Sequence, residues 1–377
     1  MNYKHLLPVL FSFFVMSFVD LVGIGVDRIK DDFELSAMLA QLIPAVAFFW
    51  FFALSVPIGV LQAKYGKKTL LNVGAFITGI GLILPFVIYS FGTVLIGFAF
   101  LGIGNTIVQV SANPLLVEVV PNNKTSSFLS FSQFVKAIGS MLGAPLAAFF
   151  TAQYGDWKIL FLTFGVTSLL TVLWLSTTKI QESKNQESTV SLLSSFKLLN
   201  NGYILSMVLC IFLVVGIDVG YNSFSGQYFI NNLGLGQITA ENGRSIYFLG
   251  RMIGAFLGSI LLTKIASRIF LVGTTIISLA FLLLILIMGP VSALVLTFLI
   301  GLSVANIFPL VFSLSVQKYP ERSSEISGLM MMAVSGGAVI PFIMGAISDL
   351  SNTLFGMLIL AICTSIILAL VLSNIKK

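Results

Sequence analysis

Four charged residues lie inside runs that are otherwise apolar: Asp20, Lys136, Asp218 and Arg251. A charge at the centre of a spanning helix costs ~2.5–3.5 kcal/mol, so leaving all four against lipid would cost on the order of 10 kcal/mol. They must be paired, or hydrated in a cavity. One acid and one base fall in each half of the chain, which allows Asp20 with Lys136 and Asp218 with Arg251. The second pair reads as a structural ion pair between helices. Asp20 and Lys136 read as a coupling site: Asp20 would bind a driving proton or sodium ion, while Lys136 competes with that ion or grips a carboxylate on the substrate.

Amides accompany these charges. Asn105, Gln109 and Asn113 recur every four residues and therefore form one stripe on a helix. Gln133, Lys136 and Ser140 form a second such face, and Asp218, Tyr221, Asn222 and Ser225, followed by Gln227, form a third. Amide stripes do not belong against lipid and are expected to line a water-filled cavity. Groups that donate and accept together, interleaved with rings such as Trp50, Phe224, Tyr228 and Tyr247, suit a polyhydroxylated ligand. The candidate substrate-binding residues are Gln109, Asn113, Gln133, Lys136, Tyr221, Asn222, Gln227 and Asn306. For any one amide the competing reading is an interhelical bond that glues the bundle, worth ~0.6 kcal/mol.

The elements that carry these residues follow from composition. Of 377 residues, 57% are hydrophobic and 9% charged, and the mean hydropathy is +1.05; soluble chains are about 25% charged. Lipid is the solvent for most of this chain. A spanning helix needs ~20 mostly apolar residues, and twelve such runs lie near 5–26, 38–61, 69–89, 92–118, 128–152, 157–176, 203–230, 243–263, 269–288, 291–317, 325–347 and 353–373. The first run lacks a small-residue cleavage site and is expected to be retained. The widest polar gap, TTKIQESKNQESTVSLLSSFKLLNN, splits the runs six and six. The fold class is therefore all-α membrane protein, twelve transmembrane helices in two pseudo-symmetric bundles: 1–176, a linker at 177–202, and 203–377.

Charge sets the orientation. With the amino terminus in the cytoplasm, the loops on that side hold Lys4, Lys64, Lys67, Lys68, Lys124, Lys179, Lys184, Lys197, Lys264, Arg268, Lys318, Arg322, Lys376 and Lys377, against Arg28, Lys30, Lys158 and Arg244 opposite. Both termini are expected in the cytoplasm of a bacterial inner membrane. These cations are dispersed among apolar runs, so nucleic acid is not an expected partner; the lipid bilayer is. The single histidine, His5, and the distant Cys210 and Cys363 leave no metal-ligand cluster or redox pair. No His–Asp, Ser–Lys or Glu-x-x-His arrangement occurs within a run, so neither an enzyme nor a cofactor is expected beyond a coupling ion.

The halves echo each other, as in transporters built from repeats. GVLQAKYGKK (59–68) follows the second run and GSILLTKIASR (258–268) the eighth. The fifth run carries Gly139, Gly143 and Pro145, and the eleventh Gly336, Gly337, Pro341 and Gly345. GVLQAKYGKK resembles the G-x-x-x-D-R-x-G-R-R loop of the major facilitator superfamily, with Ala63 where an acid is usual. VSANPLL (110–116), FLGR (248–251), FPLVFSL (308–314) and GGAVIPFIMGAISD (336–349) resemble motifs of the fucose:proton symporter family of sugar porters, in order along nearly the whole chain. The resemblance implies the major facilitator fold and uptake of a monosaccharide or close derivative by alternating access, in a monomer. Proton-coupled members have a glutamate four residues before the Asn of A-N-P, where this chain has Gln109, and a first-helix acid that aligns with Gly23, one turn after Asp20. Near the amide position of their fifth helix stands Lys136. Competing readings are a carrier of sugar acids, an exporter of other small metabolites, and a membrane sugar sensor that moves nothing.

Overall fold

The computed structural model describes residues 3–22, 28–29, 32–35, 42–180, 182 and 192–375. Among them no strand occurs. Among the described residues twelve long helices follow in order: α1 (Tyr3–Met16, continued by a 3₁₀ turn Ser17–Leu21), α2 (Leu42–Tyr65), α3 (Lys67–Val87), α4 (Phe91–Val119), α5 (Thr125–Tyr154), α6 (Ile159–Thr177), α7 (Gly202–Asn231), α8 (Gln237–Leu261), α9 (Ser267–Leu284), α10 (Pro290–Val304 and Ile307–Lys318), α11 (Ser323–Met332 and Gly336–Leu350) and α12 (Thr353–Ile375), with a short helix Leu192–Lys197 before α7. Eleven are long and apolar enough to cross a membrane; in the eighth place the apolar stretch is the shorter Ser245–Leu261, within the 25 residues of α8. The chain is a multi-pass membrane protein.

Helix starts follow local chemistry. Ser90 Oγ accepts from Thr93 N at 3.2 Å before α4, and Asn201 Oδ1 from Tyr203 N at 3.0 Å at the start of α7. At α3 the preceding residue is Gly66 (φ 89°), which has no side chain to offer. Glu182 caps that helix instead, accepting from Lys67 N at 2.5 Å and Lys68 N at 3.0 Å. Its carboxylate sits against the positive end of the helix dipole. Three of the expected continuous runs are interrupted: α1 tightens at Ser17, α10 breaks at Ala305–Asn306, and α11 passes through a 3₁₀ turn at Ala333–Ser335.

Contacts divide the chain into two compact units. One comprises Met1–Pro121, Val135–Ser195 and Glu321–Met332; the other comprises Asn122–Phe134, Phe196–Pro320 and Ala333–Lys377. Each sequence half thus lends part of one helix, α5 or α11, to the unit built otherwise from the other half.

In the first unit α3 and α4 meet along glycines. A Cβ added at Gly74 would lie 2.8 Å from the Gly104 carbonyl oxygen, and one at Gly81 equally near that of Gly97. Such backbone approach is what holds helices together where lipid removes the hydrophobic drive. The first segment of α11 crosses α2 in the same way: a Cβ at Gly59 would lie 2.8 Å from Ser324 O and 3.1 Å from Gly328 Cα. Hydrogen bonds fix that crossing, Gln62 Nε2 donating to Ser324 O at 3.0 Å and Ser327 Oγ to Val110 O of α4 at 2.6 Å. Aromatic packing fills the rest, with Phe18 stacked on Phe164 at 4.4 Å. In the second unit Gly250 and Gly254 of α8 press on the backbone of α10 at Phe298 and Leu302.

Candidate functional site

Polar clusters occur separately in the two units. In the first, the site begins where α1 stops being α-helical. Ser17 Oγ donates back to Phe14 O at 2.6 Å, and Asn105 Nδ2 of α4 takes the Met16 carbonyl at 3.0 Å. A side chain that binds a main-chain carbonyl competes with the helix ladder, and here the ladder yields to a 3₁₀ turn that contains Asp20. The carboxylate is partly exposed and accepts from Ser140 Oγ of α5 at 2.5 Å. Gly139 allows this approach, because any side chain there would overlap Ser17 Oγ.

Lys136 does not pair with Asp20. Among the described residues it makes no ion pair within 4.0 Å, and its own carbonyl receives a second, longer bond from Ser140 Oγ at 3.3 Å. The expected pairing fails because the 3₁₀ turn brings the carboxylate to the hydroxyl one turn further along α5. The lysine remains partly exposed.

The amide stripe of α4 is bonded along its own length. Gln109 Nε2 donates to Asn105 Oδ1 at 2.8 Å, and Asn113 Nδ2 to the Gln109 carbonyl at 2.9 Å. Asn105, Gln109 and Asn113 are all buried. Asn105 therefore serves α1. Asn113 Oδ1 and the neighbouring Ser111 Oγ are buried without a hydrogen-bond partner, which is the state of atoms that a polar ligand or water completes. Gln133 of α5 is also buried.

In the second unit Asp218 and Arg251 form the expected ion pair, Arg251 Nη1 to Asp218 Oδ2 at 2.5 Å, each side chain 23% exposed. Tyr247 Oη donates to the other carboxylate oxygen at 2.7 Å, and its ring stacks on Tyr221 at 4.8 Å. Tyr221 Oη lies 2.7 Å from Thr297 Oγ1. Because Thr297 gives its proton to Ala293 O at 2.8 Å, the phenol is the donor in that bond. Asn222 Oδ1 and Ser225 Oγ are buried and lack partners. The side chain of Gln227 lies outside the described residues.

Asn306 occupies a place the sequence did not suggest. It sits in the break of α10, 2% exposed, donates from Nδ2 to Gly254 O at 2.7 Å, and is pressed against Gly258. This arrangement ties α10 to α8. Sequence reasoning passed over Thr297, an isolated polar residue in an apolar segment with no stripe around it. It also passed over the pair of buried Lys67 and partly buried Glu118, although an acid ending one run and a base opening the preceding run is a signal for antiparallel neighbours. Missed likewise was the clasp in which Glu325, 3% exposed, accepts from Arg322 Nε at 2.6 Å and from Ser194 Oγ at 2.8 Å.

Beyond the helices, Asp32 Oδ2 accepts from Tyr89 Oη at 2.6 Å and from Trp157 Nε1 at 3.0 Å, with Lys158 Nζ above the Tyr89 ring at 4.5 Å. Burial, and then the bond to Asp32, push the Tyr89 phenol up, so it stays protonated wherever transport is measured. Among the described residues no group of three or more His, Cys, Asp or Glu side chains could hold a metal ion.

Comparison with known proteins agrees with this architecture. A Helicobacter pylori (strain ATCC 700392 / 26695) protein named "Putative glucose/galactose transporter" is 29% identical over 97% of this chain and 95% of its own length. The L-fucose-proton symporter of Escherichia coli K12 is 21% identical over 90% of this chain and 86% of its own. The crystal structure of the transporter FucP in the outward conformation superposes with a TM-score of 0.86 at 21% identity, covering 99% of this chain and 98% of that one. The family model described as Major Facilitator Superfamily matches residues 8–341, nearly the whole of this helical chain, and this chain belongs to that superfamily.

Proposed function

We propose that this chain takes up a monosaccharide or close derivative by alternating access, coupled to a proton through Asp20. The observation that carries the reading is Asp20 itself: a partly exposed carboxylate in a broken helix, held by a neutral hydroxyl instead of a cation. Such a group can gain and lose a proton without stranding a buried partner charge. Support for the substrate class comes from the relatives, one named for glucose and galactose and one for L-fucose and protons. Asn113, Asn222, Ser225 and Asn306, with buried polar atoms lacking partners, are the strongest candidates to meet sugar hydroxyls; Gln109, Gln133, Tyr221 and Gln227 stand beside them as candidates. The sequence halves 1–176 and 203–377, joined by 177–202, are the repeats of this carrier, which works as a monomer in a bacterial inner membrane.

The test is accumulation of radiolabelled D-glucose, D-galactose and L-fucose in proteoliposomes under an imposed pH gradient, with a sodium gradient in parallel. Uphill uptake driven by pH alone is expected. Uptake that follows sodium alone, or mere equilibration, overturns proton coupling, and no uptake of any sugar overturns the substrate class. Orientation rests on the fourteen-to-four distribution of basic residues. A single cysteine at Ser188, with Cys210 and Cys363 replaced, should react with impermeant thiol reagents only after the membrane is opened; labelling in intact cells reverses the topology.

A second reading is favoured by Lys136, a cation in a membrane helix with no ion pair among the described residues. It suits a sugar acid whose carboxylate the lysine would hold. Competition between a sugar acid and the neutral sugars in the same vesicles separates the two.

A further inference from the structure

The bond from Ser140 to Asp20 joins a titratable group to a helix contact. We propose that Ser140 is the positioning residue of the coupling site, the group through which the protonation state of Asp20 is felt by α5. The inference rests on Asp20 being the coupling acid.

Three features of the first unit meet there. Ser140 Oγ donates to Asp20 Oδ2 at 2.5 Å. One residue before it, Gly139 lies against Ser17 so closely that a Cβ would overlap the serine hydroxyl and stand 3.1 Å from the Phe14 ring. Between them, on α1, the helix has changed to a 3₁₀ turn, and the Met16 carbonyl that precedes it also accepts a bond from Asn105 of α4. The turn that carries Asp20 is thus fixed to α4 by an amide and to α5 by one hydroxyl. Only the second of these contacts involves a charge that can be neutralised.

A hydroxyl donating to a carboxylate makes a stronger bond than it makes to a neutral acid. When a proton arrives from water at an oxygen of Asp20, the charge that Ser140 stabilises disappears, no other bond is made or broken, and the same proton leaves to water at the end of the cycle. The hydroxyl can then turn fully to the Lys136 carbonyl, its longer partner at 3.3 Å. The α1–α5 contact would therefore be tight with Asp20 charged and looser with Asp20 neutral.

Other charges do not duplicate this effect. On α5 the nearest is Lys136, which makes no ion pair among the described residues. Glu118 of α4 lies at the end of that helix where Lys67 of α3 binds it, and α6 contains no charged residue. In the segment after α1, Arg28 is partly buried, and Asp32 is bound by Tyr89 and Trp157.

The experiment measures proton-driven uptake of labelled D-galactose, D-glucose and L-fucose against pH in proteoliposomes holding the full chain, for the native protein, Ser140→Ala, Ser140→Thr, Gly139→Ala and Asp20→Asn. Losing a bond to the charged form makes proton uptake easier, so Ser140→Ala should move the half-maximal pH of uptake upward by about one to two units. Gly139→Ala, which forces the helices apart without touching either polar group, should move it the same way. Ser140→Thr keeps the hydroxyl and should keep the native profile. Should Ser140→Ala fail to insert, Ser140→Cys, a poor donor of similar volume, takes its place. An unmoved profile in Ser140→Ala, or a profile moved equally by Ser140→Thr, overturns the role of Ser140. If Asp20→Asn still accumulates sugar, Asp20 is not the coupling acid and both readings fall together.

Discussion

Asp20 and Asp218 lie at similar distances from the start of the first helix of their sequence half, yet their surroundings differ. Asp218 has a guanidinium on one oxygen and the Tyr247 phenol on the other. Asp20 has a serine hydroxyl, while the lysine of its own half stands apart. An acid bonded to a permanent cation belongs to an ion pair between helices. On the function proposed above, the repeat would have one acid for architecture and one for coupling, told apart by the partner each carboxylate holds.

The sharpest way to break this comparison is to neutralise each acid in turn. Asp218→Asn takes the carboxylate away from Arg251 and Tyr247 and is expected to destabilise the protein by about 1.5–3 kcal/mol, seen as a lower melting temperature of the detergent-solubilised chain. Joint replacement with Arg251→Gln should recover most of that loss. Asp20→Asn should melt near the native temperature but lose uphill accumulation, with exchange across an equilibrated membrane persisting. Equal loss of stability in the two single variants would erase the distinction.

Lys136→Gln sharpens the comparison from the other side. Because Ser140, not Lys136, holds Asp20, the substitution should leave the pH profile of uptake in place and lower affinity for a sugar acid by ~1.5–3 kcal/mol, the worth of a charge-assisted bond. An upward shift of the profile would mean that the lysine reaches Asp20 in some state of the cycle. The smallest expected effect lies at the linker. Glu182→Gln weakens the cap of α3 by about 1 kcal/mol, read as a modest drop in melting temperature with coupling unchanged. Loss of coupling there would make the linker part of the transport machinery.

Much of this was legible in the sequence, for reasons that can be named. Hydropathy gives the spans because the bilayer demands length and apolarity of each. Asp218 with Arg251 could be paired because so few charges lie within helices. The break in α10 had a local sign: Pro309 cannot bond to the carbonyl four residues earlier, and that residue is Ala305, where the helix opens. The break in α1 had none. Pro8 lies more than two turns before it, and the bond at that turn comes from Asn105 of another helix, donating to the Met16 carbonyl. Asp20 lies within that turn and meets Ser140. Amides were ambiguous in kind: Asn105, Asn113 and Asn306 each donate to a backbone carbonyl, and of the three only Asn105 also has its Oδ1 bonded, by Gln109 Nε2.

The shared helices bear on how the chain can be divided. Residues 321–332 belong to the unit otherwise made from the first half of the sequence, where Gly328 lies on Gly59 and Ser327 bonds to Val110. A fragment ending at the linker would present a bare glycine groove on α2 and an unanswered carbonyl on α4. A split version of this carrier would therefore have to re-form the crossing of residues 321–332 on α2 and α4 from two fragments within one membrane.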